Sequence, residues 1–175
     1  MENKNKPHIL QTPRLRLQAI RYGDGKAVLS LLTNEEVGKT YMVPEFPDRQ
    51  SQWRLYERLR QLSLCPERFV YGIYYGSQQI GLLNEVETSE TEIELGYVIH
   101  PDHKGNGYAT EALQAAITAL LNMGYSAVRA GAFEENAASI RVMEKCGMHR
   151  LPQTEEVEYR GILHRCIMFE VRGKE

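Results

Sequence analysis

Cysteine is scarce in this sequence and never paired. Cys65, Cys146 and Cys166 stand far apart, form no C-x-x-C and are odd in number, which excludes a disulfide framework or a cysteine-built zinc site. They read as reduced core thiols. Long apolar runs are missing too: the start, MENKNKPHIL, carries charge but no apolar h-region, and nothing later approaches the ~18 apolar residues of a membrane span. A membrane partner is therefore not expected, and the cytoplasm is the expected location. The chain also lacks an excess of either charge. With 21 basic and 23 acidic residues the formal charge is -2, which gives no drive toward phosphate backbones, so no nucleic acid partner is expected. No G-K-[ST] follows the Gly105 and Gly107 pair, which excludes a P-loop there.

What is present is an ordinary globular composition, 42% hydrophobic and 25% charged over 175 residues. A chain of this length fits one domain, able to bury roughly 70% of the surface its unfolded form exposes. Residues 12–20 alternate, with Leu15 and Leu17 opposite Arg14, Arg16 and Gln18, as in a half-buried strand. Asp24 and Asp48 are placed to cap two helices, one with the stripe Ala27, Val28, Leu31 and Leu32, the other with Trp53, Tyr56, Leu59 and Leu62. Three β-rich runs follow, RFVYGIYYG, QQIGLLNEVE and TEIELGYVI, separated by turn residues as in an antiparallel meander. Leu113, Ala116, Ile117, Leu120 and Leu121 recur at helical spacing before Gly124. SAVRAGAF reads as a strand, Asn136 as the cap of a short helix closed by Gly147, and the tail as two strands joined near Arg160 and Gly161. This order predicts a mixed α/β sheet with helices on both faces.

The segment ELGYVIHPDHKGNGYATEAL runs from a strand through a glycine-rich turn into the strongest helix. Gly105 and Gly107 let backbone N–H groups converge on an anion, and the positive end of the helix favours negative charge there. A phosphate or pyrophosphate is the expected ligand. A dinucleotide fold is disfavoured, because it needs this turn after the first strand of a parallel series, whereas three antiparallel-looking strands precede it. His100 and His103 lack carboxylate or cysteine companions, so no metal is expected.

The run K-G-N-G-Y-A-T-E-A (Lys104 to Ala112), the preceding ELGYVI and NAASIRVMEKCGM (Asn136 to Met148) resemble the GNAT superfamily of N-acetyltransferases. With T-P-R-L-R-L and the Ile80-Gly81 pair they look like its ribosomal-protein N-terminal acetyltransferase branch, and the likeness extends from Thr12 to about Val171. The resemblance implies one N-acetyltransferase domain over 1–175, with about 1–8 and 172–175 as flexible termini, and a mostly antiparallel sheet splayed after the fourth strand. It implies acetyl-CoA as cosubstrate. Val98, Ile99 and His100 match the positions where pantetheine lies against the strand. Gly105, Asn106, Gly107, Tyr108, Ala109 and Thr110 match the pyrophosphate loop, Asn136 matches a further cofactor contact, and Lys104 stands where the family usually has Arg or Gln, keeping a cation near phosphate.

For the chemistry, the tyrosine acid usual in the family is replaced here by Met143, while Ser139 matches a serine assigned that role in the ribosomal-protein branch. Ser139 can equally cap or pack its helix. Glu158 resembles the branch's catalytic glutamate, and Glu92 and Glu94 share one strand face toward the cofactor gap, so each is a candidate base beside its solvated alternative. Backbone N–H groups near Val98 and Ile99 are the expected oxyanion donors. An α-amine of pKa about 7.8 is roughly one-seventh neutral at pH 7, so it needs little help from a base. The expected acceptor is the N-terminal α-amino group of a protein or peptide. A small amine (antibiotic, polyamine or amino acid derivative) and a CoA-binding module without turnover are the alternatives, with the protein a monomer or homodimer.

Overall fold

The computed structural model describes residues 4–173. One continuous eight-stranded sheet runs through it, in the order β1-β2-β3-β4-β5-β6-β8-β7. Its strands are β1 (Ile9–Gln11), β2 (Leu15–Gln18), β3 (Val70–Tyr75), β4 (Gln78–Thr88), β5 (Glu92–Ile99), β6 (Ala127–Phe133), β7 (His149–Tyr159) and β8 (Ile162–Arg172). Every adjacent pair is antiparallel except β5 and β6. That parallel step needs a crossover, and α3 (Tyr108–Asn122) supplies it.

The alternation of each strand divides the core in two. On one face, Leu15, Leu17, Ile93, Leu95, Val128, Ala130, Ile167 and Phe169 pack with Leu113, Ala116, Ile117 and Leu120 of α3 and Met143 of α4 (Ala137–Lys145). On the other, Ile20 and Leu82 meet Val28, Leu31 and Leu32 of α1 (Gly25–Leu32) and Tyr56 of α2 (Arg49–Leu64). Tyr56, Phe69, Tyr71 and Tyr74 are core residues, while Trp53 lies on the surface edge-on to Tyr56. Met143 is fully buried.

Three details depart from the sequence reading. First, Ile9–Gln11 form an additional edge strand, so the strand counted fourth from the sequence is the fifth. Second, the carboxylate of Asp24 does not cap α1. It accepts from the Arg21 amide at 3.0 Å and from the Tyr74 hydroxyl at 2.5 Å, closing the single 3-10 turn Tyr22–Asp24 that precedes the helix. Asp48 does cap α2, accepting from the Ser51 amide at 2.7 Å. Third, of the two termini expected to be flexible, 1–3 and 174–175 lie outside the described residues, while the stretch near Lys6 is tied down. The Lys6 ammonium donates to Ser63 O at 2.8 Å and Val70 O at 2.7 Å, and burial pulls its pKa down to about 8. At the far edge Arg160 (φ 52) and Gly161 (φ 74) form the two-residue turn that joins β7 to β8.

Candidate active site

The sheet opens in its middle. β5 and β6 pair only from Glu92 with Ala127 to Leu95 with Ala130, and beyond that Gly96–Ile99 and Gly131–Phe133 part company. The result is a cleft of about 380 Å³, with Gly96, Tyr97, Val98 and Ile99 on one wall, Gly131 and Ala132 on the other, and Asn136 and Ser139 from α4 at its side. The register fixes which backbone groups face it. The His100 amide donates to Ile80 O of β4 at 2.8 Å, and hydrogen-bonding direction alternates along an antiparallel strand. Val98 therefore also turns its amide toward β4, and Tyr97 and Ile99 turn theirs into the gap. Of the amides expected there, Ile99 is directed into the cleft while those of Val98 and His100 are spent on the sheet. The His100 imidazole lies elsewhere, 3.3 Å from Ser30 Oγ beside Gln79 and Asp102.

At one end the cleft meets the glycine-rich turn, with Lys104, Gly105, Gly107, Tyr108, Ala109 and Thr110 in its wall. Gly105 (φ 77) and Gly107 (φ 79) are left-handed, and a Cβ on Gly105 would meet nothing within 4 Å, so the loop surface is bare backbone. Gly107 is the N-cap of α3 and no side chain caps that terminus. The first intrahelical bond there is Glu111 N to Gly107 O, 3.0 Å, which leaves the amides of Tyr108, Ala109 and Thr110 without intrahelical acceptors. Such a set of free backbone donors is of the kind that can hold a phosphorylated ligand. Asn106 serves the loop instead of the cleft: its Nδ2 donates to His103 O at 3.0 Å and to Lys104 O at 3.2 Å. Lys104 pairs with Glu36, whose carboxyl is held below the usual range first by that hydrogen bond and then by the lysine's charge.

Asn136 caps α4 through Oδ1, accepting from the Ser139 amide at 3.1 Å, and so fixes Ser139 at the cleft. The Ser139 hydroxyl lies 2.8 Å from that of Tyr97, whose pKa burial pushes up to about 12. The candidate bases separate by face. Glu92 is engaged by Arg129 at 2.9 Å and Arg172 at 3.6 Å. Glu94 shares the face of Gly96 two residues further along, about 7 Å on a strand. Its pKa is raised, chiefly by burial and then by the charges of Glu87 and Glu155. Glu158 pairs with Leu163, is exposed, and projects from the face opposite to Val157 and Tyr159. The Tyr159 hydroxyl reaches Gly38 O at 2.8 Å and Tyr41 O at 3.4 Å, tying β7 to the segment that roofs the cleft. Neither Glu158 nor Glu94 is among the residues that line the cleft itself.

Cleft residues that the sequence reading did not single out include Tyr97, Gly131, Ala132, Thr40 and Tyr41. Tyr97 alternates with the core residues Leu95 and Ile99, so period-two logic makes it core, and only the splay brings its hydroxyl to the cleft. Tyr41 lies beyond the reach of local patterning, since its hydroxyl meets Asn84 Oδ1 at 2.6 Å across 43 residues. A second groove of about 620 Å³ runs between β1 and α3, lined by Ile9, Pro13, Ala115 and Met123 together with Gln11, Gln114 and Asn122. Its carboxylate, Glu111, is occupied by the Thr12 hydroxyl (2.6 Å) and by the amide (2.9 Å) and guanidinium (2.7 Å) of Arg14.

A splayed sheet, a bare glycine turn and an uncapped helix at the splay define an acyltransferase cleft, and comparison with known proteins agrees. Residues 14–149 match the family described as Acetyltransferase (GNAT) domain, and the chain belongs to that family. It is 30% identical over 147 residues to the uncharacterized protein YkkB of Bacillus subtilis, covering 80% of this chain and 84% of that one. To the uncharacterized N-acetyltransferase YoaA of the same organism it is 26% identical, covering 81% and 83%. In fold it is similar to RimL, a ribosomal L7/L12 α-N-protein acetyltransferase solved with coenzyme A, with a TM-score of 0.81 and 19% identity over 94% of this chain and 97% of that one.

Proposed function

We infer that the protein takes the acetyl group from acetyl-CoA and transfers it to a primary amine, the N-terminal α-amino group of a protein or peptide. The observation that carries this reading is the continuity of the cleft. A pantetheine arm laid along Tyr97–Ile99 would find two strand amides turned toward it, and its pyrophosphate would reach the amides of Gly105–Thr110, with Lys104 as the nearby cation. These residues bind and orient the cosubstrate. Each amide has one hydrogen, so one of the two gap-facing amides holds the pantetheine arm while the other stands preset for the oxyanion.

Ser139, held by Asn136 beside the gap, donates a proton to the departing sulfur. Glu94 takes the proton from the amine, directly or through one water, and its raised pKa brings it closer to the amine's own. The demand on it is modest, because an α-amine near pKa 7.8 is already about one-seventh neutral at pH 7, against roughly 0.04% for a lysine amine. A single partly buried carboxylate suits the first better than the second. Acetyl transfer to matched peptides, one series with a free N-terminus and one blocked there but bearing lysine, tests the reading, with small amines as a third arm. The free N-terminal series is expected to be preferred in kcat/KM. Preference for the blocked lysine peptides or for small amines would overturn the acceptor assignment.

A further inference from the structure

The Ser139 hydroxyl has one partner among the described residues, the Tyr97 hydroxyl at 2.8 Å. A hydroxyl has a single hydrogen, so the direction of this bond decides where the serine proton points. If Ser139 donated to Tyr97, its one hydrogen would be spent on the phenol and not offered to the sulfur. The Tyr97 phenol keeps its own hydrogen throughout the neutral range, because burial raises its pKa. That hydrogen has two acceptors within reach, Ser139 Oγ at 2.8 Å and Ser139 O at 3.3 Å. The carbonyl lies farther away and already faces the amide one helical turn on, as every carbonyl at this point of α4 does. Oγ is the nearer and less encumbered acceptor.

We propose that Tyr97 is a positioning residue for acyl transfer: its hydroxyl donates to Ser139 Oγ and so directs the Ser139 hydrogen into the cleft, toward the sulfur that leaves. The inference rests on the reading of Ser139 as proton donor. In the step it serves, the amine nitrogen bonds to the thioester carbon and the carbon–sulfur bond breaks. The Ser139 proton goes to the sulfur, the amine's surplus proton goes to Glu94, and Ser139 Oγ recovers a proton that Glu94 gives up through water, which returns both groups to their starting forms. The bond from Tyr97 also stabilises the charge that grows on Oγ as its proton leaves. The Tyr97 hydroxyl itself loses nothing and acts only through Ser139.

The arrangement is held from three directions. Asn136 fixes the Ser139 amide from within α4. β5 carries Tyr97 among the core residues facing that helix, and the parting of β5 from β6 begins at Gly96, immediately before it. The same splay that opens the gap thus places the phenol against α4.

The test compares Tyr97→Phe, Ser139→Ala and the double variant at saturating acetyl-CoA. Phenylalanine keeps the ring and removes only the donor. Ser139→Ala is expected to lower kcat by about 10² and Tyr97→Phe by about tenfold, with the dissociation constant for acetyl-CoA unchanged in both. The double variant is expected to match Ser139→Ala alone, since both act through one hydroxyl. The solvent deuterium isotope effect on kcat is expected in the unaltered protein and diminished in both single variants, whereas a merely structural loss would lower kcat and leave that ratio in place. Wild-type kcat in Tyr97→Phe, or losses that multiply in the double variant, overturns the Tyr97 proposal while leaving Ser139 in its role. A silent Ser139→Ala overturns the proton-donor reading and this inference with it.

Discussion

Replacing Gly107 by valine separates the anion site from the fold. Gly107 has φ 79 and ψ 11, a left-handed conformation that costs a residue bearing a Cβ about 1–2 kcal/mol. No overpacking adds to this, because a Cβ there would meet only an Arg14 guanidinium nitrogen at 3.5 Å. At about 2–4 °C per kcal/mol for a chain of this size, the melting temperature should fall by roughly 2–8 °C and the fold should survive. Binding should suffer far more. The branched side chain would stand over the amides of Tyr108 to Thr110 where phosphate must approach, and each hydrogen bond to a charged group is worth about 1.5–3 kcal/mol. Loss of two predicts a dissociation constant for acetyl-CoA weaker by about 10² to 10⁴. Titration calorimetry on the folded variant measures it directly. A folded Gly107→Val protein that binds acetyl-CoA with unchanged affinity would refute the reasoning that these amides hold the pyrophosphate.

Glu94→Gln should lower turnover by about 10² at pH 7, with a defect that shrinks toward pH 9 as the α-amine arrives neutral, while Glu158→Gln should leave turnover unchanged; the reverse pattern in pH–rate profiles would exchange their roles. Burial alone would raise the pKa of Glu111, but its bonds to Thr12 and Arg14 outweigh this and hold it below the usual carboxylate range. Its share of stability is therefore present above its unfolded pKa and lost as pH falls through the lower folded value. Glu111→Gln should cost about 2 kcal/mol at pH 7 and less in acid, read from denaturant melts across pH. Acetyl-CoA should raise the melting temperature, and NAD should do so much less, since NAD has no pantetheine arm to lie along β5. Equal stabilisation by the two would contradict that placement.

Much of this was legible in the sequence because the signals were local. The α3 stripe from Leu113 to Leu121, the alternation of β2 and the turn at Arg160–Gly161 each follow from a repeat or a turn residue. The glycine turn was legible for the same reason, since backbone donors before a helix are a property of a few adjacent residues. What escaped notice depends on distant partners. The strand Ile9–Gln11 is three residues long and is fixed by its pairing with Arg16–Gln18. Asp24 has the composition of a helix cap but is claimed by Tyr74, 50 residues away. Glu158 and Glu94 are both strand glutamates, and only the strand pairings show that Glu94 stands on the strand that opens the gap while Glu158 stands on the edge strand. Tyr97 required knowing where β5 leaves β6.

The central claim, that the opening between β5 and β6 receives the cosubstrate, is tested most directly by residue-resolved amide hydrogen exchange with and without acetyl-CoA. Val98 and His100, bonded to β4, should exchange slowly in both states. Tyr97 and Ile99, whose amides face the gap, should exchange readily in the free protein and become protected when acetyl-CoA binds, together with Tyr108, Ala109 and Thr110 at the start of α3. Binding that leaves Tyr97 and Ile99 unprotected, or that protects the groove between β1 and α3 instead, would contradict the account.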